Sequence, residues 1–109
     1  MSCSPIVFVM ALILIDQIQE SHEDFYMTYR NAHRLMITAV VVATKYYDDF
    51  YFKNTFYAKL GGIQTQLLNE MEEQFLHMLN FNCFIPESTL NSYLERLEFF
   101  SLLNSKNSD

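Results

Sequence analysis

Residues 31–49, NAHRLMITAVVVATKYYDD, decide how this chain folds. From Leu35 to Ala43 the run LMITAVVVA is broken only by Thr38 and offers no polar face. A helix apolar all round is an inner helix or a membrane span. A span needs about 18 to 20 apolar residues, and this run is half that. The stretch therefore reads as the central helix of a small α-helical domain, over roughly residues 30–48, with its neighbours packed around it. Lys45 stands in its last turn, with Asp48 and Asp49 just beyond.

Working outward, Ser4-Pro5 supplies an N-cap and a first-turn proline, and IVFVMALILIDQIQE continues as a helix to about Glu20, its length favouring helix over a buried strand. A signal-peptide reading fails for want of a basic leader and a small-residue cleavage site, and Asp16 follows the apolar run at once. SHEDFYMTYR is an acidic connection. After FYF, Asn54 is the expected cap of a short helix that Gly61-Gly62 stops, because glycine takes the left-handed C-terminal conformation at low cost. Thr65 is the expected cap of QLLNEMEEQFLHMLNF, in which Leu68, Met71, Phe75 and Leu79 share a face. Pro86 opens a last helix, with Glu87 in its first turn and Leu90, Tyr93, Leu94 and Leu97 as its expected buried stripe. SLLNSKNSD has no periodicity and reads as a flexible tail, 101–109, after a domain over 1–100.

The 109 residues fit one domain, half of it hydrophobic, with ten Phe, seven Tyr, only two Gly and two Pro, a balance that favours long helices. A net charge of -6 disfavours phosphate backbones and acidic lipid as partners. Cys3 and Cys83 have no paired spacing and suit a reducing compartment. His22, His33 and His77 lack metal-ligand spacing. Glu20, Glu23 and Asp24 lack the pattern of a calcium loop. Catalytic triads and phosphate loops have no recognisable context, so no cofactor and no enzyme activity are expected.

Three charged residues invite closer reading. Lys45 suits the ordinary task of a last-turn lysine, satisfying free carbonyls. Glu72 lies in an apolar row, with Leu68, Phe75 and Leu76 as helical neighbours, so it either edges the core or faces a partner. Asp16, following ten apolar residues, needs a partner, and Arg30 or Arg34 is the expected one.

Several motifs in order then resemble the cyclin box, most of all the single-box P/U-type cyclins of phosphate signalling. They are His33-Arg34 at the head of the central helix; Ala43, Lys45, Asp48 and Asp49 at its end; Asn54, Tyr57, Ala58, Lys59, Gly61 and Gly62; and the LN-x-ME-x-x-F-x-x-x-L-x-F run from Leu68 to Phe81. The first helix is similar to the second of that box, and the likeness covers about residues 2–98. It implies an all-α, cyclin-like helical bundle of box helices 2 to 5, acting inside the cell, in nucleus or cytoplasm, to bind and activate a cyclin-dependent protein kinase. The resemblance further implies that Lys45 and Glu72 contact the kinase, with Val42, Tyr46 and Leu76 flanking them. The first box helix has no counterpart, and Gln17 stands where the family usually has Arg. Asp16 then loses a usual partner, and the expectation is either a fragment or shortened gene model, or another chain over the apolar surface left exposed, self-association being one such cover. The rival readings are a IIB-type transcription factor of cyclin fold, disfavoured by the acidic balance, and a generic helical module, membrane-targeted or otherwise without a kinase partner.

Overall fold

A computed structural model describes residues 5–25, 27–48 and 50–107, with side chains as far as residue 104. The expected cap Ser4, together with Cys3 and Asp49, lies outside the described residues. Five helices run in order: α1 (Pro5–Ser21), α2 (Ala32–Tyr47), α3 (Asn54–Gly61), α4 (Thr65–Met78) and α5 (Glu87–Asn107), with no strand among the described residues. The all-α expectation holds.

Helix α2 is the inner rod. Leu35 and every residue from Thr38 to Thr44 are buried. Thr38 donates its hydroxyl to the Arg34 carbonyl one turn back at 2.8 Å, which satisfies a polar group that burial would otherwise penalise. Helix α1 lies along α2. Val7, Ala11, Leu14 and Ile18, spaced as one helical face, have no exposure at all. Helix α4 closes the other side with Leu68 and Phe75, while α3 adds Tyr57 and Ala58 to a smaller cluster with Val41.

The helix starts differ from expectation by one residue. Lys53 caps α3, its carbonyl accepting from Phe56 and Tyr57. Asn54 is the first helical residue, its side chain drawn elsewhere. Gln64, not Thr65, precedes α4. Gly62 ends α3 at φ 70°, in the left-handed conformation anticipated for the glycine pair. Helix α4 stops at Met78, three residues short of Phe81, because Asn80 and Phe81 turn left-handed, φ 54° and 58°, and Phe81 N–H closes back on the Leu76 carbonyl at 2.8 Å. This turn leads to Cys83 and Ile85, both buried in the main core.

Helix α5 starts as expected after Pro86, with Glu87 in its first turn, and packs on α1. Leu90 and Tyr93 touch the core, but the expected stripe stops there: Leu94 and Leu97 are exposed. It runs on from Ser101 to Asn107 as helix. Among the described residues, no helix is long and apolar enough to cross a membrane.

Candidate functional site

Lys45 and Glu72 meet. The last turn of α2 and the middle of α4 bring the ammonium of Lys45 to 3.0 Å from both carboxylate oxygens of Glu72, and the two side chains keep 28% and 16% of their exposure. The lysine therefore spends itself on a carboxylate rather than on the carbonyls at the end of its own helix. The glutamate is neither a solvated edge group nor an unpaired one. Charge-assisted bonds of this kind are stronger than neutral ones, and partial burial shields the pair from salt.

A third side chain completes the cluster. Asn54 Nδ2 donates to Glu72 Oε1 at 2.8 Å and to Asn69 Oδ1 at 2.7 Å, tying the start of α3 to α4. Its own Oδ1 is buried with no hydrogen-bond partner. Lys45 has three N–H donors, of which two reach Glu72; Glu72 Oε2 accepts only from Lys45 among the described residues. One donor and one acceptor thus remain side by side, the pattern that a peptide unit's carbonyl and N–H would complement.

The apolar residues expected beside the pair divide. Val42 is buried in the main core, one turn before Lys45 on α2, and stiffens the face from beneath. Leu76, one turn after Glu72, is half-buried against the same core. Tyr46 is 52% exposed, its ring edge-on to Tyr47 at 4.8 Å. Beyond it the connection to α3 exposes Phe50, Tyr51 and Phe52, and the first turn of α3 exposes Phe56. Phe52 stacks at 4.4 Å from Phe56, and its N–H bonds the Tyr57 hydroxyl at 3.0 Å. A partly desolvated ion pair beside exposed aromatics has the make-up of a protein-docking surface.

Sequence reasoning missed two parts of this face. Asn54 was legible only as a cap, and the aromatic segment 50–56 only as a connection. The signal for Asn54 was its place at the head of the motif that follows that of Lys45; residues 50–53 fall in neither motif.

Asp16 accepts a hydrogen bond from the Tyr93 hydroxyl at 2.8 Å, with Arg96 over the Tyr93 ring at 5.3 Å. This replaces the pairing that Arg30 or Arg34 could have provided; both arginines are exposed, and neither forms an ion pair with Asp16 among the described residues. Burial, then the Asp16 contact, push the Tyr93 phenol above its ordinary value. No group of His, Cys, Asp or Glu among the described residues could hold a metal ion.

A family model described as Cyclin matches residues 1–83. Cyclin-P3-1 of Oryza sativa subsp. japonica is 45% identical over 97 residues, 88% of this chain and 40% of that protein. Cyclin-U4-1 of Arabidopsis thaliana is 39% identical over 97 residues, 89% of this chain and 48% of that protein. Cyclin-U2-1 of Arabidopsis thaliana is 37% identical over 94 residues, 86% of this chain and 42% of that protein. The chain spans less than half the length of these relatives.

Proposed function

This chain belongs to the cyclin family, and on that premise we propose that it is a non-catalytic regulatory chain that docks on a cyclin-dependent protein kinase and favours its active state. The observation that carries the reading is the paired Lys45 and Glu72, partly exposed and framed by Tyr46 and the aromatics that follow. The free N–H of Lys45 meets a backbone carbonyl of the kinase, and Glu72 Oε2 meets a backbone N–H. Such contacts set register, while Tyr46 and the neighbouring aromatic rings supply most of the buried apolar area. Leu76 and the buried Val42 hold the face in shape. Docked beside the kinase's mobile helix, this face favours the inward position in which the kinase's own Lys-Glu ion pair forms. The chain then acts by biasing a two-state element of its partner, with no chemical step of its own. Such a role places it with its kinase, in the nucleus or cytoplasm.

The test is co-purification with a set of cyclin-dependent kinases, comparing the natural chain with Lys45→Ala and Glu72→Ala. Each substitution should weaken capture by about ten-fold or more, the scale of a central interface residue. Capture that survives both changes undiminished refutes this docking face, and a natural chain that captures none of the kinases refutes the kinase partnership.

A further inference from the structure

The Asn54 side chain is placed against its own interest. Both hydrogens of its amide go to the Glu72 and Asn69 oxygens, and its carbonyl oxygen is sealed from solvent with nothing to accept from. Turning the amide over offers no relief, since it would aim an oxygen at two acceptors. An unsatisfied buried oxygen is a standing cost in a fold. Here it leaves Glu72 with a second donor, independent of Lys45 and anchored on a different helix.

That second donor matters if Lys45 is to reach anything else. With Lys45 alone to neutralise it, a largely buried carboxylate would hold the ammonium closely, and a partner would have to compete for it. With Asn54 sharing Oε1, the ammonium can turn towards a new acceptor while Glu72 stays solvated by the amide. Asn69, by accepting the amide's other hydrogen, keeps Asn54 from following.

We propose that Asn54 is the positioning residue of the docking face: it holds Glu72 in place so that Lys45 is free to engage a partner's backbone. The proposal rests on the kinase-docking reading for its consequence in binding, but its effect on Lys45 exists in the free chain. Removing a member of an ordinary structural network loosens the rest. Removing Asn54 should instead tighten Lys45 onto Glu72.

The experiment has two arms. In the free chain, exchange of the Lys45 ammonium protons is followed by nitrogen-detected NMR, the resonance assigned with Lys45→Arg. Asn54→Ala should slow that exchange by about two-fold or more as the charge-assisted bond to Glu72 takes over; unchanged or faster exchange overturns the proposal. In the second arm, kinase affinity should fall about ten-fold for Asn54→Ala and for Asn54→Asp. Undiminished affinity in both variants counts against the proposal. Should Asn54→Ala unfold, Asn54→Ser, too short to bridge both Glu72 and Asn69, takes its place in both arms with the same expected and overturning results. If the natural chain captures no kinase, the docking reading falls, and the exchange arm alone decides whether Asn54 governs Lys45.

Discussion

Tyr47 donates its hydroxyl to the carbonyl of Cys83, linking the last turn of α2 to the segment after α4. Burial, with Tyr46 and Cys83 nearby, pushes its phenol up to about 12 from 10.0, and burial also pushes the Cys83 thiol above 9.0. Both groups are acids whose neutral form suits the fold. Their contribution is therefore complete below the unfolded values, near pH 9 for the thiol and 10 for the phenol, and is lost as pH rises through the higher folded values. Chemical denaturation should find stability flat in this respect up to about pH 9 and falling between pH 9 and 12. Tyr47→Phe should cost about 0.5–1.5 kcal/mol at neutral pH, the net worth of one hydrogen bond, and should remove part of the alkaline decline. A variant whose stability follows the natural chain at every pH would refute this account. Single residues were unevenly legible in the sequence. Glu72 stood out because it interrupts an apolar row on its helix, while Lys45 read as an ordinary last-turn lysine until the resemblance set it beside Glu72. Asp16 stood out for the same reason, yet its partner, Tyr93, lies 77 residues away, and local spacing carries no information about such a distance. Asn54 fits the cap of a helix by residue type, and only the nearness of α4 draws its amide to Glu72.

Helix identities followed from spacing, because an apolar period of 3.6 residues is a property of one segment. Helix starts and the burial of α5 did not, since each depends on what packs against the segment. Periodicity marks Leu94 and Leu97 as one apolar row with Leu90, but nothing in the row says whether anything packs against it. The turn between α3 and α4 shows what is decided locally and what is not. At Gly62 a Cβ would meet no atom within 4 Å, and only the backbone, at φ 70°, demands glycine. Gly62→Ala should cost about 1 kcal/mol, and Gly62→Asn less, since Asn tolerates this conformation. At Gly61 a Cβ would come within 2.6 Å of the Ile37 Cδ1 methyl. Gly61→Ala should therefore destabilise by an amount that Ile37→Val, which removes that methyl, largely relieves. Thermal melts of the two single variants and the double variant check this, and an Ile37→Val change that rescues Gly62→Ala equally would show the distinction to be wrong. Helix α5, packed on the main core through Leu90 and Tyr93 among the described residues, should in the monomer, at concentrations too low for association, show amide exchange that quickens along its length and is fastest from Ser101 onward, because exchange follows local packing. Uniform protection to the end of the helix would refute the proposal that this end is a flexible tail.

Besides the aromatic face beside Lys45 and Glu72, the described residues leave two further apolar surfaces exposed. One is a groove of about 300 Å³ between α1, α2 and α3, lined by Phe8, Met36, Ile37, Val40, Tyr57 and Leu60, with Ile6 and Leu12 exposed along the same helix as Phe8. The other is the end of α5, which exposes Leu97, Phe99, Phe100, Leu102 and Leu103. The first is concave and the second is a helix. Exposed apolar areas of this kind seek a partner. A second copy of this chain offers the matching surface twice over, since two molecules can each place α5 in the other's groove around a two-fold axis. If the expected self-association uses these two surfaces, it takes this form. Sedimentation should show a dimer that forms with rising concentration, at a dissociation constant of about micromolar strength. Phe8→Asp in the groove and Phe100→Asp on the helix should each return the chain to monomer, because burying a carboxylate in an apolar contact is costly without a partner charge. Neither position belongs to the Lys45–Glu72 face, so kinase capture by these variants should be unchanged, which separates the two surfaces. A natural chain that stays a monodisperse monomer at about 100 times that concentration would refute the dimer.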